Sequence, residues 1–113
     1  MAATPRLTVP LVLEARDKRP DGMGGFVLEW RPLGRVWAEM KSGAGAAARD
    51  EIGPVAKVGW RITLRGAGVG DPRRPAAGQR LRMGQRLFAI QAVAERDMQG
   101  RWLTCFATEE DQT

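Results

Sequence analysis

Apolar and polar residues alternate along several short stretches of the chain, a pattern typical of β-strands with one face in a core. The clearest stretch is residues 60–65, in which Trp60, Ile62 and Leu64 alternate with arginine and threonine. Because long amphipathic helices are absent from the pattern, it predicts an all-β fold, a small six-stranded β-barrel over about residues 9–109. The predicted strands cover residues 9–16, 26–41, 60–65, 80–83, 86–94 and 101–108.

Aromatic residues at alternate strand positions usually fill a barrel core or a subunit interface. We therefore expect Trp30, Trp60 and Trp102 in the core with Ile62 and Leu64. Trp37 lies on the opposite side of its strand from the neighbouring apolar residues, so it is predicted to lie at an interface.

Glycine and proline mark the connections between the strands. Residues 17–25 are predicted to turn the chain, and residues 32–34 to break the second strand. Residues 42–58 form a long loop, rich in glycine and alanine, with a helix-prone segment over 46–52. A second glycine-rich loop, residues 66–78, carries Arg73 and Arg74. The chain is expected to form a single domain with short flexible termini.

The glycine cluster in the first turn resembles a phosphate-binding loop only superficially. A Walker-type loop ends in Gly-Lys-Ser/Thr, and a dinucleotide-binding turn leads into a helix. Neither follows Gly25, because the next residues, FVLEW, alternate as a strand does. We therefore interpret this cluster as a structural turn, formed by Asp21, Gly22, Gly24 and Gly25.

The composition removes most catalytic chemistry. The chain has no histidine and one cysteine, which excludes histidine-dependent triads and the usual zinc sites. Cys105 lies in an alternating apolar segment, where a buried thiol is expected. Acidic clusters at 50–51 and 109–111 do not form a convincing catalytic pair. We predict neither an enzyme nor a cofactor, and we find no membrane-spanning stretch or signal peptide.

The chain is basic, with 18 lysine and arginine residues against 13 acidic ones and a net charge of +5. This charge permits contact with nucleic acid without establishing it, because the basic residues are scattered along the sequence. One interpretation is therefore a small nucleic-acid-binding barrel of the OB or SH3-like kind. Its tryptophans and arginines would share one face, and it would bind oligonucleotides with a steep salt dependence.

A second interpretation comes from a series of motifs spread over about residues 9–109. In chain order they are Asp21-Gly22-x-Gly24-Gly25, Trp30, Val36-Trp37-Ala38-Glu39, Arg61–Arg65, Arg80–Gly84, Leu87–Ile90 and Arg101–Leu103. The order of these motifs resembles that in the head–tail joining proteins of long-tailed phages. Two departures from the family pattern are the glycine- and alanine-rich long loop and the glycine-rich run over 66–75.

The resemblance implies a structural protein of the virion neck, with no catalysis. Such proteins form a homo-oligomeric ring, here a hexamer or dodecamer, below the portal and its adaptor. They complete the head, and in stopper proteins a loop retains the packaged double-stranded DNA. A tail terminator or tail tube protein then docks below. The arginine-, alanine- and glycine-rich composition suits a prophage or gene transfer agent, assembled in a bacterial cytoplasm.

The resemblance also implies roles for charged residues in the loops. If the loop 42–58 faces the channel, Lys41, Arg49 and Lys57 would meet DNA phosphates without reading sequence. Asp50 and Glu51 would pair with basic residues of a neighbouring subunit. Arg73 and Arg74 would either dock an acidic adaptor surface or lie in a solvated turn.

Overall fold

Six antiparallel strands close into a barrel in the computed structural model, which describes residues 4–43 and 58–110. The order around the barrel is β1-β2-β3-β6-β5-β4, and pairing of β1 with β4 closes it. This confirms the predicted all-β class. The strands are β1 (Val9–Pro20), β2 (Phe26–Ser42), β3 (Gly59–Arg65), β4 (Arg80–Met83), β5 (Arg86–Glu95) and β6 (Trp102–Glu109).

The barrel interior holds the hydrophobic core. Ile62 and Leu64, both expected there, are buried against side chains from every strand, and Trp60 packs half-buried at the edge. The prediction was wrong for Trp30 and Trp102, which are half-buried outside this cluster beneath arginine side chains. Alternation alone does not tell which strand face turns inward. The buried apolar residues are Leu11, Leu13, Ala38, Ile62, Leu64, Leu81, Phe88, Ile90, Leu103, Cys105 and Ala107.

The first two strands extend well beyond the barrel. β1 pairs with β4 only over Val12–Glu14, and β2 pairs with β3 only over Ala38–Ser42. Outside these contacts, residues 15–31 form a two-stranded arm that ends in a turn. The arm helps to explain the 56 × 37 × 24 Å dimensions and the 15.3 Å radius of gyration, against about 13 Å for a compact domain of this length.

The predicted turn and strand break both differ from the structure in extent. The turn covers only residues 21–25, because Asp17–Pro20 continue β1 by pairing with Phe26–Glu29. The predicted break is a β-bulge rather than an interruption: Leu13 pairs with Gly34 and Glu14 with Pro32, which leaves Leu33 extra. Proline is tolerated here because this edge of β2 has no β3 partner. The bulge lies where the barrel strand becomes the arm.

The long loop is the main part of the prediction that the structure does not describe. The helix-prone segment 46–52 and the residues Arg49, Asp50, Glu51 and Lys57 lie outside the described residues. The extreme termini, residues 1–3 and 111–113, do so as well.

Candidate assembly surfaces

The arm has two faces of different character, since paired residues of an antiparallel ladder lie on the same side. The face that we call the cationic face carries Arg16, Lys18, Phe26, Leu28 and Trp30. The opposite face, which we call the ion-pair face, carries Asp17, Arg19, Val27, Glu29 and Arg31. Basic residues therefore lie on both sides of the ribbon, whereas the acidic residues Asp17 and Glu29 lie on one side only.

The ion-pair face neutralises its own charges. The Arg19 and Glu29 side chains are 3.6 Å apart, and the Arg31 guanidinium donates a hydrogen bond to Asp17. Both pairs are diagonal across the two strands and exposed to solvent, so each adds little to stability. This face consequently presents balanced charge.

The cationic face has basic side chains and exposed apolar surface. Phe26 is 67% exposed and Leu28 is 54% exposed. Lys18 Nζ lies 5.9 Å from the centre of the Phe26 ring, and the Arg16 guanidinium lies 5.7 Å from that of Trp30. Both acids of the arm strands lie on the other face, so this surface combines positive charge with an apolar row.

A buried ion cluster fixes the base of the cationic face. Glu14, 6% exposed, accepts hydrogen bonds from Arg80 Nε at 2.7 Å and Arg82 Nε at 2.9 Å. Burial raises the pKa of Glu14, but the bonds from both arginines outweigh it and leave the pKa below its ordinary value. The Arg80 guanidinium also lies 4.0 Å from the centre of the Trp30 ring. Trp30 is thus held in one orientation between cations.

The predicted turn residues form the tip of the arm. Asp21 Oδ1 accepts hydrogen bonds from the backbone N–H groups of Met23, at 2.7 Å, and Gly25, at 3.0 Å. These bonds lower the pKa of Asp21. Gly22 and Gly24 have φ angles of +82° and +87°, the left-handed region that favours glycine. The glycine cluster closes a hairpin and contains no helix N-terminus that could bind an anion.

A second exposed surface surrounds Trp37, the predicted interface residue. Trp37 is 51% exposed and lies beside a cleft lined by residues that include Leu7, Arg65 and Arg73. Arg73 is bound to Asp71 through its Nη2, at 3.2 Å, and remains largely exposed. An exposed tryptophan surrounded by arginines is typical of protein interfaces.

The prediction gave Arg73 and Arg74 the same role, but their side chains have different environments in the structure. Arg74 Nη1 donates a hydrogen bond to the Ala67 carbonyl at 2.7 Å, so this half-buried side chain stabilises its own loop. Arg73 is the one whose guanidinium faces solvent, with its pKa raised by Asp71. Of this pair, Arg73 is the more exposed and the better placed to meet a partner.

Of the predicted DNA-facing residues, only Lys41 falls within the described segments. Its side chain is 70% exposed and lies 3.7 Å from Glu39 Oε1. It precedes the undescribed segment 44–57, which contains Arg49 and Lys57. The structure therefore neither brings the three basic residues together nor separates them.

The acidic end of β6 is also engaged within the chain. Arg86 donates two hydrogen bonds to the Glu109 carboxylate, at 2.8 and 2.9 Å, and Trp60 Nε1 donates a third at 3.1 Å. The bonds from Arg86 lower the pKa of Glu109. Within residues 4–43 and 58–110, no group of histidine, cysteine and acidic side chains could hold a metal ion. The same residues contain no helix long and apolar enough to cross a membrane.

Cys105 is expected to resist thiol reagents in the native state. It is buried, and burial raises its pKa to about 12, so almost no thiolate exists at neutral pH. Iodoacetamide should therefore label it only at the rate of unfolding, and rapidly in denaturant. Time-resolved mass spectrometry would check this, and labelling of the native protein at the rate of a free thiol would contradict it.

Comparison with known proteins places the chain in a family. The family profile described as "Phage head completion protein" matches residues 3–110. The chain belongs to the phage head completion protein family. A chain in the solved structure titled "Virion of native gene transfer agent (GTA) particle" is similar, with 46% sequence identity and a TM-score of 0.81. The match covers 97% of this chain and 100% of that one, whereas the comparison with curated proteins found no match.

Family membership identifies this head completion protein as a structural component of phage or phage-like virions that joins head and tail. It assembles with other head and tail proteins of the particle. The surfaces described above are therefore candidate contacts with those proteins.

The sequence analysis missed the cationic face. Phe26 and Leu28 were interpreted as ordinary strand residues and Trp30 as a core residue, and Arg16 and Lys18 were given no role. Hairpin pairing around the tip turn puts all five on one side, which the sequence could have indicated. This side stands clear of the barrel because β3 and β4 stop pairing before the arm begins. No local sequence pattern predicts where that pairing stops.

Proposed function

We propose that this head completion protein forms a homo-oligomeric ring between the portal–adaptor assembly and the tail, where it retains packaged DNA and docks the tail without catalysing a reaction. The observation that carries this proposal is the match of nearly the whole chain both to the head completion family and to a gene transfer agent virion chain. A shared fold alone would not support a shared role, but 46% identity over 97% of the chain does.

An exposed surface on the barrel supports a ring subunit. A cyclic ring needs two different patches on each subunit, which meet head to tail around an axis. The surface around Trp37 is exposed and offers one such patch. We assign Trp37 to the contact between subunits and Arg73 to a contact with an acidic adaptor surface. The ring would contain six or twelve copies.

DNA retention is assigned to the segment between β2 and β3. Lys41, at the end of β2, is exposed and leads into this segment. Lys41, Arg49 and Lys57 would each meet phosphates in the channel, and Asp50 and Glu51 would pair with basic residues of the next subunit. Repetition around the ring multiplies the charges, so binding to DNA would be strong without sequence specificity.

The positions of the tryptophans weigh against a free nucleic-acid-binding barrel. Such a barrel stacks bases on open aromatic rings that share a groove. Here Trp30, Trp60 and Trp102 each have an arginine of the same chain within 5.7 Å of the ring centre. They also lie in different parts of the fold, on the arm and on strands β3 and β6.

Particles assembled in cells that lack this gene provide the test. We expect heads that lose DNA and carry no tails, and we expect purified protein added to these heads to restore nuclease-protected DNA and tail attachment. Negative-stain electron microscopy and quantification of protected DNA would measure both. Tailed, DNA-filled particles formed without the protein would contradict the proposal. Tight, salt-dependent binding of the isolated protein to oligonucleotides, without recovery of tails, would favour the binding barrel instead.

A further inference from the structure

We infer that the cationic face of the arm docks onto a different protein of the particle, at an apolar strip bordered by carboxylates. The inference rests on the proposed function and adds to it a surface and the chemistry of its partner. Its starting point is that a two-stranded ribbon is marginally stable in water unless something covers it. The arm nevertheless exposes Phe26 and Leu28 side by side with Trp30 on one face.

The composition of the face is that of a protein-binding hot spot. Tryptophan and arginine are enriched at the centres of interfaces, where a rigid side chain loses little entropy on binding. Trp30 lies at the base of the face, where Arg80 stacks on its ring at 4.0 Å and buried Glu14 binds that arginine. Tryptophan and arginine, two residue types typical of a hot spot, therefore lie together at this base.

The charge distribution defines the chemistry of the partner. Arg16 and Lys18 lie on this face, whereas Asp17 and Glu29 lie on the opposite face and are paired there. An apolar strip with carboxylates along its border would match both the apolar row and the cations beside it. The ion-pair face, with its charges already balanced, offers no such complementarity.

A second copy of this chain is a poor match for the face. Most described carboxylates are already paired with arginine or lysine of the same chain, as Glu39, Asp71 and Asp97 are. An acidic border for the cationic face is therefore expected on a different protein rather than on a second copy.

Duplex DNA is an equally poor match. Phosphates would satisfy Arg16 and Lys18, but they would leave Phe26 and Leu28 against a polar backbone. Binding to DNA would therefore leave the apolar row unburied, and this row is the feature that distinguishes the cationic face from other basic surfaces. A protein partner uses both features of the face.

Photocrosslinking in assembled particles tests the identity of the partner. Leu28 and Val27 are adjacent, similarly exposed, and on opposite faces, so a photoreactive benzoylphenylalanine at each position forms a matched pair. We expect the probe at 28 to crosslink a peptide of another head or tail protein that contains both apolar and acidic residues. Crosslinks to a second copy of this chain or to DNA would overturn the inference, as would equal yields at positions 27 and 28.

Substitutions at the same positions test the chemistry. Leu28→Glu should weaken binding of the purified protein to tailless heads or to tails by about tenfold or more. Leu28→Lys should weaken it less, because the cationic character is kept, and Val27→Glu should change it by less than about twofold. Thermal midpoints should match the wild type, since these side chains are exposed. Equal losses for Leu28→Glu and Leu28→Lys, or none for either, would overturn the inference.

The design separates the two proposals. If the wild-type protein binds neither heads nor tails, the proposed function itself fails. If the wild type binds and the Leu28 variants bind equally well, the head–tail role stands and only the assignment of the cationic face is wrong.

Discussion

Replacement of Glu14 by glutamine is expected to lower the free energy of unfolding by about 3 kcal/mol, at the lower end of the cost of breaking a buried ion pair. The substitution keeps the side-chain shape but removes the charge that accepts bonds from Arg80 and Arg82. Arg80 is itself largely buried, so its guanidinium would lose its partner in a place with little water. The melting temperature should fall by about 12 °C.

The pH dependence of stability gives a second measure of the same group. The folded pKa of Glu14 lies below its ordinary value of 4.5, so the unfolded state binds the proton more readily. The stabilisation is therefore complete above about pH 4.5 and is lost as the pH falls through the folded pKa. Glu14→Gln should remove this part of the acid sensitivity.

Glu29→Gln is the matched control, because Glu29 also pairs with an arginine but is exposed. It should change the unfolding free energy by less than about 0.5 kcal/mol. Chemical denaturation of both variants at neutral pH and at pH 4 would measure the difference. If the two variants lose the same amount, the buried cluster does not stabilise the closure of the barrel.

Gly66→Ala is expected to cost about 3 kcal/mol, the upper range for overpacking a site that cannot relax. A Cβ atom at position 66 would overlap the Gly100 carbonyl oxygen, which belongs to the backbone and cannot swing away. The same glycine donates its N–H to the Arg101 carbonyl at 2.8 Å, so the two loops approach closely at this point. Relief of the clash requires separation of the end of β3 from the start of β6.

Gly68→Ala is the control within the same loop. A Cβ at position 68 would have no atom within 4 Å, and Gly68 does not have a left-handed φ angle that would strain alanine. This variant should be as stable as the wild type or slightly more stable, because alanine restricts the unfolded chain. Urea midpoints with unchanged slopes would separate the two variants. Equal midpoints would mean that the loops move apart at little cost.

Most of the fold could be predicted from alternation and turn residues, for local reasons. The patterns at residues 60–65 and 80–83 predict strands because one face of each is apolar. Asp21 and the glycines that follow it predict a hairpin turn. The extension of β1 to Pro20 could not be predicted in this way, since residues 17–20 are three charged residues and a proline, held by backbone pairing rather than burial. Trp30 and Trp102 were misplaced because an arginine can cover an aromatic ring as well as a core can.

The candidate surfaces were harder to predict than the fold. Trp37 could be singled out because it lies opposite buried neighbours on its strand. Arg74, by contrast, contacts the Ala67 carbonyl through a loop whose conformation no periodicity encodes. To predict the cationic face, one must know both the hairpin register and the limited extent of β3 and β4. The extent of β3 and β4 is known only from the strand pairing in three dimensions.

The seam between β1 and β4 also bears on how the chain folds. The bonds that join Glu14 to Arg80 and Arg82 span 66 and 68 residues, whereas the β1–β2 hairpin forms between near neighbours. Contacts of such long sequence separation form late, because the entropy of closing the intervening chain must first be overcome. We therefore expect the arm to form early and the sheet to remain open until β4 arrives. Subunits would present a closed barrel to their partners only after this last step.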